Sequence, residues 1–425
     1  MLEGQDPRAT ARPAAEILAD LGPTITADGI GGHEALRRFV DVVVTSTRAQ
    51  GDPLNLAYVP SAPTPASLVF DLAVSAAEIF AGTWEAGAGA IAAENQALAW
   101  LADLAGWPAG AGGAFVQGGT IGNLSALAAG RHAAATARGA RPPGGWKIAA
   151  TADAHSSVAV AARTMDAEIL PVPGDERGRL TGDALEATVA GRDDVAAVVV
   201  TAGTTNAGIV DDIAGAAAVC ARHGLWLHVD GAYGLAALAA PGARPLFAGI
   251  EQADSFVVDP HKWLFAPYDC CALVYREPAR AAATHAQFAG YLEQIDRGEW
   301  NPSDYAIQLT RRPRGLPFWF SLATYGTAAY AAAVEKVLAT TRELAAGIDA
   351  ADHLELLFPP ELSVVLFRRP GWSEDEMRAW SRRCARSGVI LCVPTRWQGE
   401  LVFRLCLVNP DTDAAAVLEA LETMR

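Results

Sequence analysis

Five short stretches hold the residues that could do chemistry: QGGTIGN at 117–123, DAHSS at 153–157, TAGTTN at 201–206, HVDGAYG at 228–234 and DPHKW at 259–263. In the first, Gly118 and Gly119 permit close backbone approach, and Thr120 precedes an apolar-periodic stretch, so a hydroxyl and free N–H groups would meet a phosphate there. Taken alone, an ordinary strand–turn–helix corner reads the same. His155 stands at the start of a helical stretch, where a histidine by itself is a cap or a core residue. Thr204 and Thr205 follow an apolar run, a place where hydroxyls usually satisfy turn amides. Asp230 ends the run LWLHVD and is followed by the small residues Gly231 and Ala232, which leave room for a flat ring. Lys262 follows the run SFVV, and a lone lysine there is ordinarily a solvated one.

The order of these residues says more than any one of them. A phosphate turn, a histidine, a threonine pair, a carboxylate and a lysine each follow an expected strand, and in a parallel sheet ligands bind beyond the strands' carboxyl ends. A cofactor suited to the set carries a phosphate, an aromatic ring with a basic nitrogen, and an aldehyde that condenses with lysine. Pyridoxal phosphate meets all three requirements, with its phosphate on Gly119, Thr120 and the helix start, His155 against one ring face, Asp230 on the ring nitrogen and Lys262 on the aldehyde.

The elements that must position these groups are strands expected at 114–116, 147–151, 168–172, 195–201, 225–229, 255–258 and 271–275, with helices at 122–135 and 213–223 among them. Apolar strands interleaved with amphipathic helices predict a mostly parallel sheet covered on both faces. Upstream, 35–49 has helical spacing, and 55–70, with Pro60, Pro63 and Pro65, reads as a loop leading into a helix. Downstream, 318–346 reads as helix and 362–367, 389–393 and 401–405 as strands of a smaller α+β domain. The expected division is an N-terminal helical arm with pocket loop (1–80), a large cofactor-binding domain (81–335) and a small C-terminal domain (336–425). The run GAGAIA at 87–92 fits a dinucleotide fingerprint, but no convincing strand precedes it, so it reads as a glycine-rich helix start.

Composition narrows the class. The chain has 425 residues, 51% of them hydrophobic, and a formal charge of −15. Without a basic run, nucleic acid and anionic membranes are unsuited partners. Six cysteines without CxxC spacing, no metal-ligand motif and no expected secretory or membrane-spanning segment suggest a cytoplasmic protein without disulfides.

The block DSFVVDPHKWLFAPYDCCALVY closely resembles the cofactor motif of the group II pyridoxal-phosphate-dependent amino-acid decarboxylases, the family of aromatic-L-amino-acid, glutamate and histidine decarboxylases. NLAYVPSAPTPASLVFD, WEAGAGAIAAENQALAWLADLAG, GGTIGNLSAL, DAHSSV, TAGTTNAGIVDDI, HVDGAYG, RRPRGLPFWFSLATYG and LVFRLCLVNPDT resemble family segments in the same order. The resemblance implies a fold type I, aspartate-aminotransferase-like α/β domain acting as a homodimer with a shared active site. It makes Lys262 the Schiff-base lysine, Asp230 the pyridinium partner, His155 the stacking histidine and Ala232 the small residue opposite. Gly119, Thr120, Thr205 and His261 become further cofactor contacts. Tyr58, Pro60, Trp84 and Arg404 fall at substrate positions, with Arg404 suited to an α-carboxylate. Tyr291, with Tyr305 as a second candidate, falls where the family protonates the substrate carbon after carbon dioxide leaves.

The implied reaction is decarboxylation of an L-amino acid, aromatic or apolar by preference, to its amine. The same scaffold supports an oxidative aldehyde synthase, another lyase or a transaminase, and a non-catalytic relative would keep the fold alone. Asp259 departs from relatives that carry asparagine, and a carboxylate there would repel a phosphate unless it is paired.

Overall fold

Seven apolar runs form one sheet: β1 (Gly112–Val116), β2 (Trp146–Ala150), β3 (Ala167–Pro171), β4 (Val195–Thr201), β5 (Trp226–Asp230), β6 (Ser255–Val258) and β7 (Cys271–Tyr275). Their order is β1-β7-β6-β5-β4-β2-β3. β7 runs antiparallel to both of its neighbours, and the remaining pairings are parallel. β4 is buried along its whole length, without the alternation of a half-exposed strand, because parallel strands are covered on both faces. The helix Gly119–Arg138 packs across β4, β5 and β6, and its glycine and alanine positions permit that approach. At Gly130, for example, an added Cβ would come within 2.8 Å of the Trp226 ring.

Register then decides what meets at the sheet edge. Thr201 pairs with Asp230, and Asp230 with Val257. Val258 pairs with Ala272, and Val116 with Cys271. The segments leaving β1, β4, β5 and β6 therefore depart from one edge, where β7 also begins. That edge collects the glycine turn, Thr201, Asp230 and the DPHKW stretch.

The computed structural model describes residues 12–287 and 298–425. They fall into two units, one made of Ser61–Ala339 with Pro360–Ser363, the other of the stretch ending at Pro60, Thr340–Pro359 and Val364–Arg425. The second unit holds a four-stranded antiparallel sheet of β8 (Glu355–Leu356), β9 (Val364–Arg368), β10 (Thr395–Trp397) and β11 (Glu400–Cys406), in the order β10-β11-β9-β8. Phe367 and Phe403, paired across β9 and β11, stack with ring centres 5.3 Å apart, and Trp380 meets Phe403 edge-on.

Two sequence expectations need correction. Residues 389–393 are not a sheet strand; only Leu391 makes an isolated bridge, with Asn55, and the strand that joins the sheet is Thr395–Trp397. A short apolar run cannot by its period distinguish a strand from a buried connection. The regular α-helix expected over 35–49 is shorter: an α-helix at Gly32–Arg38 gives way to a π-helical turn at Phe39–Val44. The glycine-rich stretch at 87–92 lies within the helix Trp84–Leu104, where Gly87 leaves helical geometry and where a Cβ would meet the Phe80 carbonyl oxygen at 2.5 Å. Among the described residues no helix is long and apolar enough to cross a membrane.

Candidate active site

A cavity of about 260 Å³ lies at the collecting edge of the large sheet. One wall is the start of the helix Gly119–Arg138. Its cap, Gly118, has φ 149°, a conformation that suits glycine, and no side chain caps the first turn. The first N–H groups of a helix have no intrahelical acceptor, and here they adjoin the cavity with the dipole's positive end. Gly119 is small for a reason: a Cβ would stand 3.1 Å from the Ala232 Cβ and 3.4 Å from Asp259 Oδ2. The wall is thus an anion cradle that a larger residue would fill.

The opposite wall carries Lys262 on the short helix Pro260–Trp263. Its Nζ donates to Asp259 Oδ2 at 2.8 Å, and His261 Nε2 lies 3.6 Å from the same oxygen. Burial works against charge on Asp259, but Lys262 and His261 outweigh it and hold the carboxyl below its usual range. Burial likewise works against the ammonium, and Asp259 more than offsets this, raising Lys262. The repulsive carboxylate expected from the sequence is therefore one half of an i,i+3 ion pair. His261 is lowered, chiefly by burial, and its Nδ1 sits 2.7 Å from the Cys270 carbonyl oxygen.

Between these walls stands Asp230, only 4% exposed. Its Oδ2 accepts from Asn123 Nδ2 at 2.9 Å and its Oδ1 from the Ala232 N–H at 3.2 Å. Asn123 Nδ2 also donates to Ser157 Oγ at 2.8 Å, and Ser157 Oγ lies 2.8 Å from His155 Nδ1. His155 caps the helix Ser156–Thr164 through the Ser157 N–H and also lines the cavity. Such satisfaction matters, because each buried polar group left unpaired costs about 1–3 kcal/mol.

Gly119, Thr120, His155, Thr205, Asp230, Ala232, His261 and Lys262, expected from sequence at one cofactor, all line this cavity. Trp84 and Tyr305 do not. Trp84 begins the helix Trp84–Leu104, its N–H donating to Asn301 Oδ1 at 2.8 Å, and Tyr305 stacks on Trp300 with ring centres 4.3 Å apart. Tyr58, Pro60 and Arg404 belong to the second unit, where Arg404 Nη1 donates to the Tyr58 carbonyl oxygen at 2.6 Å. Tyr291 lies outside the described residues. The cavity also has walls that sequence reading missed, notably Asn123, Ser157, Tyr268 and Asp269. Asn123 was within reach of a helical-phase argument, since it stands four residues after Gly119, one turn along the same face.

Cradle, paired lysine and buried carboxylate together suit a ligand bearing a phosphate, an aldehyde and a protonated ring nitrogen, which is the set that pyridoxal phosphate presents. Comparison with known proteins agrees. Residues 35–369 match the family described as the pyridoxal-dependent decarboxylase conserved domain. An aromatic-L-amino-acid decarboxylase of Bacillus atrophaeus is 30% identical over 386 residues, covering 86% of this chain and 79% of the relative. An L-2,4-diaminobutyrate decarboxylase of Rhizobium meliloti is 28% identical over 422 residues, covering 96% and 84%. The crystal structure of Oryza sativa TDC with PLP and tryptamine superposes with a TM-score of 0.90 at 25% identity, over 98% of this chain and 92% of that one. The chain is a fold type I enzyme that belongs to the group II pyridoxal-phosphate-dependent amino-acid decarboxylases.

Proposed function

We propose that the protein decarboxylates an aromatic or apolar L-amino acid to the corresponding amine. The observation that carries this reading is the convergence of Lys262, Asp230 and His155 on one cavity with an uncapped helix start. In it, the first turn at Gly119 and Thr120 would hold the cofactor's phosphate, Lys262 its aldehyde and Asp230 its ring nitrogen, with His155 and Ala232 flanking the ring. When bound, the cofactor supplies an electron sink for the pair left as carbon dioxide departs. The proton returned to the substrate carbon is assigned to Tyr291.

Charge supports the choice of substrate class. Among the described residues no arginine lines the cavity, and its one lysine is already paired with Asp259. Among the described residues lining the cavity, a second substrate carboxylate would find no unpaired lysine or arginine. A second amine would turn to Asp269, which already accepts from Arg314 Nε at 3.0 Å. The names of the aromatic-L-amino-acid decarboxylase relatives fit this substrate class, and those of the L-2,4-diaminobutyrate decarboxylases fit a second amine instead. The protein is further proposed to act as a homodimer, as the family resemblance implies, and in the cytoplasm, as its cysteine pattern suggests.

The test is to incubate the purified holoenzyme with single amino acids, measuring carbon dioxide and identifying products by mass, with Lys262→Ala as control. Amine and carbon dioxide from aromatic substrates, lost in the control, are expected. Oxygen consumption with peroxide and ammonia release would instead identify an oxidative aldehyde synthase, and silence across the panel would refute decarboxylation.

A further inference from the structure

His228 is wholly buried in β5, two residues before Asp230 and so on the same face of the strand. It does not itself line the cavity, and both of its ring nitrogens are engaged. Nδ1 lies 2.9 Å from Ser255 Oγ, and Nε2 lies 2.9 Å from Asn123 Oδ1. Ser255 Oγ also accepts from the indole N–H of Trp226 at 2.9 Å.

The donors and acceptors allow one direction through this chain. The Asp230 carboxylate can only accept, so the Asn123 amide turns its nitrogen to Asp230 and its oxygen to His228. A neutral His228 then donates from Nε2 and accepts at Nδ1 from the Ser255 hydroxyl, which itself accepts from the Trp226 indole N–H. This fixes the Asn123 amide, and both of its N–H groups are spent, one on Asp230 Oδ2 and the other on Ser157 Oγ. The Ser157 backbone N–H donates to His155 Nδ1 at 3.2 Å, which makes that nitrogen an acceptor, so the Ser157 hydroxyl 2.8 Å away donates to it as well. His155 therefore keeps its proton on Nε2. A protonated His228 would instead donate to Ser255 Oγ and reverse that step, but burial holds the ring neutral, lowering its pKa to about 4.

We propose that His228 is a positioning residue: acting through the Asn123 amide, it sets the orientation of the Asp230 carboxylate and the Nε2–H tautomer of His155, coupling the two groups that receive the cofactor's ring. The inference rests on the proposed cofactor arrangement, and it assigns functions to His228, Asn123 and Ser157, none of which would contact the ring nitrogen's proton. Inverting the Asn123 amide would turn its oxygen toward the Asp230 carboxylate, so losing the His228 donor loosens both ends at once.

The readout is the dissociation constant of pyridoxal phosphate from the full-length cofactor-free protein, followed by quenching of intrinsic fluorescence, together with the visible absorption of the bound cofactor. His228→Leu fills the space without a donor or acceptor and is expected to weaken binding at least tenfold and to change the absorption. His228→Gln, which can accept from Ser255 and donate to Asn123, is expected to stay within threefold of wild type. Should His228→Leu not fold, His228→Asn, polar but too short to span the two partners, takes its place with the same expectation. In a cycle with Ser157→Ala, the losses should be non-additive by at least threefold, because both variants cut one chain. Equal affinity in the Leu (or Asn) and Gln variants, or strict additivity, would overturn the proposal by reducing His228 to packing. If wild-type protein binds the cofactor but decarboxylates nothing, the proposed function fails while this inference stands; if it binds no cofactor, both fail.

Discussion

Asp259 shows how far a single residue can be read without its partner. From sequence it is a carboxylate beside an expected phosphate, an arrangement that Coulomb repulsion opposes. The missing fact was that Lys262 lies one helical turn on and donates to it at 2.8 Å. The pair keeps Lys262 an ammonium, which cannot attack an aldehyde until it loses a proton. Asp259→Asn should lower the lysine pKa and relieve the phosphate repulsion, so cofactor-free protein should combine with pyridoxal phosphate faster at pH 7, by roughly tenfold per pKa unit lost. Stopped-flow absorbance between pH 6 and 9 measures this, and superimposable wild-type and variant profiles would contradict it. Lys262, Asp230 and His155 were legible because each follows a strand, whereas Asn123 was open only to a helical-phase argument and Ser157 to none. Both lie inside helices, where function depends on which face meets a neighbour, and that is settled by tertiary packing.

The seven strands of the large sheet were legible to within about two residues, because buried strands read as short apolar runs with breaks between them. The helix from Gly119 began three residues before its apolar period did, since its first turn faces the cavity and needs no apolar residue. Gly119→Ala tests that turn. Alanine is the better helix former by about 1 kcal/mol, so thermal stability should hold or rise, while the Cβ at 3.1 Å from Ala232 should weaken cofactor binding about tenfold by equilibrium dialysis. Unchanged affinity would remove the cradle from the argument.

A second helix, Trp84–Leu104, carries Glu94, 4% exposed and accepting from the Gly315 N–H at 2.6 Å. Burial pushes its pKa up to about 7, with the Gly315 N–H, Arg311 and Arg314 only partly offsetting it. A folded pKa above the unfolded value means stability present at pH 4.5 that is lost as pH rises towards 7. Glu94→Gln abolishes this loss, so relative to wild type the variant should gain stability across that window, on the order of 3 kcal/mol, and plateau above it. Unfolding midpoints at pH 5 and pH 8 measure the difference, and a constant offset between the proteins would refute it.

At the scale of the whole molecule, the helix Pro65–Ala76 presents Val69 and Leu72, three residues apart on one face and each 73% exposed. Leaving two large aliphatic side chains in water forgoes about 1.5–3 kcal/mol each, and a second copy of the chain is the proposed cover. The variant carrying both Val69→Asp and Leu72→Asp should elute as a monomer by light scattering where wild type is a dimer. A monomeric wild type, or a dimeric variant, would place the interface elsewhere or remove it.

The reversal of β7 has a consequence for motion. β6 ends and β7 begins side by side, with Val258 opposite Ala272, so the intervening segment that bears Lys262 leaves and re-enters the sheet at one point. It is further tied by the Asp259 N–H to Ala232, by the Ala266 N–H to Pro260 and by the Thr64 N–H to Phe265, at 3.0, 3.0 and 2.9 Å. A segment closed at its base and latched along its length has no hinge of its own. The backbone that bears the lysine should therefore exchange its amide protons with the central sheet and not at the rate of a surface loop.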